Sequence, residues 1–162
     1  MTDRKNTPSS IIRLIIFSGF IGGMAEVLFM LFYSFVSKGS LVVIGSEITK
    51  SFFKSYEAGV DAALLGLLIH FLLAFVVSFF FITVIMPLFN AFNHPNRIML
   101  MSLVYLAMIW CLNFLILLPK VNVAFVHLFP YMVTFASKLL FGYSMSVYLS
   151  RNIENDHQAT TV

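Results

Sequence analysis

This 162-residue sequence has few charged residues and only one cysteine. Lysine, arginine, aspartate and glutamate together make up 10% of the chain, whereas soluble domains carry about 25%. No cluster of lysines and arginines suggests binding to nucleic-acid phosphates. The lone Cys111 excludes an internal disulfide and a metal site built on thiolates. No nucleophile–base pair or metal-ligand spacing is evident, so the sequence predicts neither an enzyme nor a resident cofactor.

Long apolar runs are what the chain has in excess. Hydrophobic residues make up 60% of the sequence, and the mean hydropathy is +0.95. The run 62–86 contains a single ionisable residue, His70, and about 20 helical residues suffice to cross the roughly 30 Å hydrocarbon layer of a bilayer. Similar runs lie at about 11–36, 98–118 and 124–149. The sequence therefore predicts an all-α membrane protein, a four-transmembrane-helix bundle immersed in lipid.

The predicted organisation is one transmembrane domain at residues 1–150 and a polar C-terminal tail at 151–162. Pro87 and Pro119 are predicted to end the second and third helices, since proline supplies no N–H to the next helical hydrogen bond. The first apolar run continues past the small residues at 23–25, which favours an uncleaved anchor over a removed signal peptide.

The longest predicted connection, residues 37–59, contains a short amphipathic segment. Ser46 is predicted to cap a helix there, with Glu47 in its first turn. Apolar residues such as Ile48 and Phe52 fall on one side of this helix and charged residues on the other. The pattern predicts a short interfacial helix in the headgroup region, and an ordinary solvated helix folded over the bundle is the alternative.

Three ionisable side chains, Glu26, His70 and Lys138, lie deep in the predicted spans. A charged residue at such a depth costs about 2.5–3.5 kcal/mol to insert, so it needs a partner or a wet cavity. A rise of about 1.5 Å per residue places all three near the midplane, with Asn113 about one turn away. The sharpest hypothesis is a Glu26–Lys138 ion pair with His70 nearby, a buried polar cluster that is a candidate ion or substrate site.

Small residues flank these polar positions and are predicted to pack helices closely. The candidate packing residues are Gly19, Gly22, Gly23, Gly66 and Gly142. Gly66 belongs to a ridge of small or polar residues formed by Ala62, Gly66, His70, Ala74 and Ser78. The GxxxG spacing of the first helix is interpreted as packing within the monomer rather than as dimerisation. Association with a second copy or with a partner membrane protein stays open.

Three functions are compatible with the predicted cluster. In the primary hypothesis the protein is structural or accessory, and the cluster sets the register of the helices. The first alternative is a proton-coupled transporter of a small molecule that uses Glu26, because ionisable residues within a membrane often mark ion pathways. The second is a haem-binding membrane protein that uses His70, with a methionine or His127 as the other axial ligand.

Four short motifs occur in order along residues 15–150. They are GFIGGMAE at 19–26, IHFL at 69–72, the set Trp110, Asn113 and Pro119, and SKLLFG at 137–142. In this order of features the chain resembles the YagU-like family of uncharacterised bacterial inner-membrane proteins. The resemblance implies a four-helix protein of the bacterial inner membrane with no assigned reaction. The AEV at 25–27 is similar, more weakly, to the glutamate motif in the first helix of small multidrug resistance transporters, which implies proton-coupled transport.

An even number of spans places both termini on one side of the membrane. That side carries five basic residues and the other side four, so the positive-inside rule predicts cytoplasmic N- and C-termini. The residues counted are Arg4, Lys5, Arg13, Arg97 and Arg151 on the first side, and Lys38, Lys50, Lys54 and Lys120 on the second.

Overall fold

The computed structural model describes residues 8–37, 39–91 and 94–158, and these ranges contain helices and connections but no strand. The predicted all-α class is confirmed. Arg4, Lys5 and Lys38, which enter the orientation argument, lie outside the described residues. The helices are α1 (Pro8–Val36), α2 (Leu41–Phe52), α3 (Val60–Phe80), α4 (Met86–Leu88), α5 (Pro95–Cys111), α6 (Leu118–Val121), α7 (Val123–Leu128) and α8 (Tyr131–Gln158). A first π turn, Phe81–Ile85, joins α3 to α4, and a second π turn, Leu112–Leu117, joins α5 to α6.

Three continuous helical stretches are long and apolar enough to cross a membrane. They are Ser10–Val36, Val60–Leu88 and Pro95–Val121, and they contain the first three apolar runs of the sequence. Their outward surfaces carry many exposed leucines, phenylalanines and valines, which water would not accommodate in a continuous band. The chain is therefore a membrane-embedded protein.

Two of these stretches pass through the prolines that were predicted to end them. Pro87 lies within α4 and Pro119 within α6. A proline ring clashes with the carbonyl group four residues earlier, here that of Thr83 or Leu115. Both of those residues belong to a π turn, in which the helix is locally widened. The helix therefore continues for one or two residues beyond each proline.

The predicted fourth helix, 124–149, is divided rather than continuous. α7 stops before Phe129, whose backbone is extended with φ −135° and ψ 150°. A residue before proline avoids the helical conformation because the proline Cδ crowds its N–H and Cβ, so Pro130 forces the break. α8 begins directly after it and continues to Gln158, through much of the predicted tail.

α2 begins earlier than the predicted cap at Ser46, which is a buried residue inside the helix. The Ser46 hydroxyl donates to the carbonyl oxygen of Gly59 at 3.2 Å and accepts from its N–H at 3.3 Å. The Thr49 hydroxyl donates to the carbonyl oxygen of Ala62 at 2.6 Å. These polar residues face the start of α3. Contacts with α3, rather than a side-chain cap, therefore hold α2 in place.

α1 and α8 form the centre of the bundle. α1 packs against α3 and α8, while α8 packs against α1 and α5, so the order in space is α3, α1, α8, α5. α5 also contacts α3 and the first π turn through Tyr105. The Tyr105 hydroxyl donates to the carbonyl oxygen of Val77 at 3.2 Å, and the Tyr105 ring packs on Phe81.

The small-residue ridge of α3 contacts two helices rather than one. A Cβ on Gly66 would overlap the backbone carbonyl oxygen of Gly45 in α2. Toward the other end, Cβ atoms on Gly19 and Gly23 of α1 would lie 3.0 Å from the carbonyl oxygen and 3.1 Å from the Cβ of Ala74, respectively. Both glycines of the GxxxG motif therefore pack inside the monomer. In α8, Gly142 similarly lies against the backbone of α5.

Candidate functional site

An ion pair joins α1 to α8. The Lys138 Nζ lies 2.7 Å from the Oε1 of Glu26 and 2.8 Å from its Oε2, so the ammonium group contacts both carboxylate oxygens. The two side chains keep only 17% and 10% of their exposure. Gly22 permits this approach, because a Cβ there would lie 2.7 Å from the Phe141 ring. The short charge-assisted bonds give each buried charge a direct partner.

His70 lies beside the pair but is bonded to backbone. Its Nε2 is 3.4 Å from the carbonyl oxygen of Gly23 in α1, a long hydrogen bond in which the ring nitrogen donates. Its ring meets Phe71 edge-on at 5.6 Å. Within the described ranges, His70 makes no hydrogen bond to Glu26 or Lys138, and no group of three or more His, Cys, Asp or Glu side chains is arranged to hold a metal ion.

Asn113 enters the site from the second π turn. It is half-buried, and its side-chain amide has no hydrogen-bond partner among the described residues. An amide offers both donors and an acceptor, so an unpaired one beside an apolar surface is available to a ligand or to water. The structure therefore brings Asn113 to the same space as Glu26, His70 and Lys138 without bonding it to them.

These four residues line one cavity of about 570 Å³, a volume typical of small-molecule sites. Its lining residues come from α1, α2, α3, the second π turn, α6, α7 and α8. Most of the lining is aliphatic or aromatic. Polar atoms come from the ion pair, His70, Asn113 and a few hydroxyl groups.

Three polar residues near the cavity were not among the predicted site residues. The Trp110 Nε1 donates to the Thr134 hydroxyl at 3.0 Å, and that hydroxyl donates to the carbonyl oxygen of Tyr131 at 3.0 Å. The Ser137 hydroxyl donates to the carbonyl oxygen of Thr134 at 2.7 Å. Ser and Thr side chains commonly bond to the backbone of their own helix. The Ser and Thr residues just before Lys138 were therefore the sequence signal that could have indicated these bonds.

A second set of polar contacts joins α2 to the start of α7. The Asn122 side-chain nitrogen donates to the carbonyl oxygen of Glu47 at 3.0 Å, to its Oε2 at 3.1 Å and to the Ser51 hydroxyl at 3.2 Å. Its oxygen accepts from the N–H of Phe125 at 3.2 Å and so caps α7. Lys50 pairs with Glu47 at 2.9 Å. We call Glu47, Lys50, Ser51 and Asn122 the α2–α7 clasp.

The clasp is expected to weaken in acid. Burial opposes the charge on Glu47, but hydrogen bonds from Lys50 and Asn122 outweigh it, so the pKa of the Glu47 carboxyl is below its ordinary value of 4.5. A group with a lowered folded-state pKa stabilises the fold above its unfolded pKa, and this stability is lost as the pH falls through the folded value. Thermal unfolding in detergent should therefore lose more stability below about pH 4.5 in wild type than in Glu47→Gln. Equal losses in both proteins would contradict the assignment.

The geometry gives a membrane-embedded helical protein with an ion-paired cavity. No protein-family model matches this chain, and neither curated proteins nor solved structures show a match.

Proposed function

We propose that this chain is a four-span integral membrane protein with a structural or accessory role, in which the Glu26–Lys138 pair holds the first and last spans together. The observation that carries the proposal is the contact of the Lys138 ammonium with both Glu26 oxygens. A pair that satisfies itself needs no ligand, and each charge strongly favours the presence of the other in a low-dielectric interior. Glu26→Gln tests the role: in a structural protein this change lowers stability.

The use of α8 as the fourth span is supported by where its polar residues lie. α8 packs against both α1 and α5, so much of its surface faces protein rather than lipid. Thr134, Ser137 and Ser146 are buried, and each hydroxyl donates to the backbone carbonyl oxygen three residues earlier. Paired hydroxyls and a paired lysine reduce the cost of placing a less apolar helix within the membrane.

The interfacial position of α2 is supported by its two faces. Gly45, Ser46 and Thr49 face α3, whereas Phe52 and the following Phe53 are about half-exposed. Exposed phenylalanines next to Lys50 and Lys54 suit the boundary between acyl chains and headgroups. The resemblance to YagU-like proteins supports a bacterial inner membrane.

Thiol accessibility should distinguish four spans from three. In a Cys111→Ser background, Asn6→Cys and Ala159→Cys are expected to react with a membrane-impermeant maleimide from the cytoplasmic side, and Ser55→Cys from the opposite side. Inside-out and right-side-out vesicles supply the two sides, and labelling is read by mass shift. Reaction of Asn6→Cys and Ala159→Cys from opposite sides would mean an odd number of spans and would reject the proposal.

A proton-coupled carrier is the second candidate, because the cavity reaches the Glu26 carboxylate. A carrier must release Lys138 from Glu26 when a proton or a cationic substrate takes its place. The two candidates differ in what Glu26→Gln changes: a carrier keeps its fold and loses pH-gradient-driven uptake in proteoliposomes, whereas a structural protein loses thermal stability.

A further inference from the structure

The size and the lining of the cavity beside the ion pair indicate which class of molecule it can bind. Its volume of about 570 Å³ suits a small organic ligand, and most of its lining is apolar. The ionisable residues among its described lining are Glu26, Lys138 and His70. Since Glu26 and Lys138 neutralise each other, the cavity presents no net charge from this pair to an incoming ligand.

This balance argues against a charged ligand. An anion would compete with Glu26 for Lys138, and a cation would compete with Lys138 for Glu26; either would leave one buried charge without its partner. A neutral oxygen faces no such conflict. Asn113 has a free amide, and the Lys138 ammonium has three N–H donors, one of which donates to Oε2 of Glu26 while Oε1 lies 2.7 Å from the same nitrogen.

The rim of the cavity is apolar and exposed. Leu64 of α3 is 62% exposed and Leu117 of the second π turn is 45% exposed, and both line the cavity. Val60 and Val121 also line the cavity and are exposed. A rim of this kind opens to acyl chains rather than to water, because the stretches that carry it are apolar enough to cross a membrane.

We infer that the cavity binds a neutral amphiphile, a molecule with an apolar chain or ring and one or two carbonyl or hydroxyl oxygens, which enters from the lipid. The oxygen accepts from the Asn113 amide and a remaining Lys138 N–H, and the apolar part lies between α3 and the second π turn. A diacylglycerol of the bilayer and a free long-chain alcohol or ketone share this chemistry. The inference does not depend on the structural role of the ion pair.

Photolabelling in phosphatidylethanolamine–phosphatidylglycerol vesicles tests this binding. The probes are a long-chain alcohol with a diazirine on its chain, the matching carboxylic acid and amine, and a diazirine-labelled diacylglycerol. Mass spectrometry of the digested protein should locate alcohol or diacylglycerol adducts at Leu64 and Leu117 in excess over Leu72, which is 54% exposed but lies outside the cavity lining. Whichever neutral probe labels better identifies the source, and the acid and amine should label the cavity less.

Asn113→Leu should reduce cavity labelling by about 5- to 20-fold, because the ligand oxygen loses its amide donor. Asn152→Leu is the control, since Asn152 bonds to the Tyr148 carbonyl oxygen away from the cavity. A second pair of variants keeps the test decisive if Asn113→Leu folds poorly. Leu117→Trp should block labelling because Leu117 lines the cavity, whereas Leu112→Trp should not, because Leu112 lies outside the lining although both leucines are 45% exposed.

Equal labelling of Leu64 and Leu72, equal labelling by neutral and charged probes, or equal effects of Leu117→Trp and Leu112→Trp would each overturn the inference. None of these results bears on whether Glu26→Gln destabilises the fold, so failure of the ligand inference and failure of the structural role are separable.

Discussion

Glu26→Gln is expected to lower the free energy of unfolding by about 3–5 kcal/mol, because it leaves the Lys138 ammonium buried without its counter-ion. The neutral amide can accept one hydrogen bond from Lys138 but supplies no charge to offset the loss of water around the ammonium. The measurement is thermal or denaturant unfolding in detergent, with the helical circular dichroism as the signal.

Adding Lys138→Met should restore much of this loss, since a methionine fills similar space and needs no partner. The two single variants and the double variant form a cycle whose interaction energy reports the pair directly. Glu57→Gln is the matched control, because Glu57 is exposed in the connection after α2. A Glu26→Gln protein as stable as the Glu57→Gln protein would refute the structural role.

Gly66→Ala is expected to destabilise the protein by about 1–3 kcal/mol and to loosen α2 from α3. The added Cβ would overlap the carbonyl oxygen of Gly45, and backbone cannot rotate aside as a side chain can. Alanine favours a helix over glycine by about 0.8–1 kcal/mol, so the clash must exceed that gain. The readouts are the unfolding temperature and hydrogen exchange of the α2 amides.

The matched control is Gly59→Ala, the same substitution in the connection before α3. No atom lies within 4 Å of a Cβ at Gly59, and its φ of 179° is extended backbone that any residue adopts. Gly59 is the N-cap residue of α3, where alanine is less favoured than glycine, so a small loss is expected, but it should be smaller than that of Gly66→Ala because the added Cβ meets no neighbour. Similar unfolding temperatures for both variants would show that α2 does not depend on this close approach.

Part of the candidate site could be predicted because a charged side chain within a membrane costs free energy unless it has a partner. Glu26 and Lys138 stand out in apolar runs, and only a charged or wet surrounding makes them tolerable there, so their proximity could be expected. The free Asn113 amide and the cavity could not, because they depend on how residues from several helices are placed around the ion pair. Asn122 could be expected to cap α7 from its position, but its bonds to Glu47 and Ser51 require α2 and the start of α7, which are distant in the sequence, to meet.

Composition and spacing alone determined the helical class and the three apolar stretches. A long apolar run is stable in lipid rather than in water, and in lipid the backbone must make its hydrogen bonds within a helix. Tertiary structure decided the rest. It divided the ridge of α3 between α2 and α1, carried two helices through Pro87 and Pro119, and left space beside the ion pair. These outcomes depend on which helices approach one another and on the shapes of their contacting surfaces, and a local pattern of residues does not contain that information.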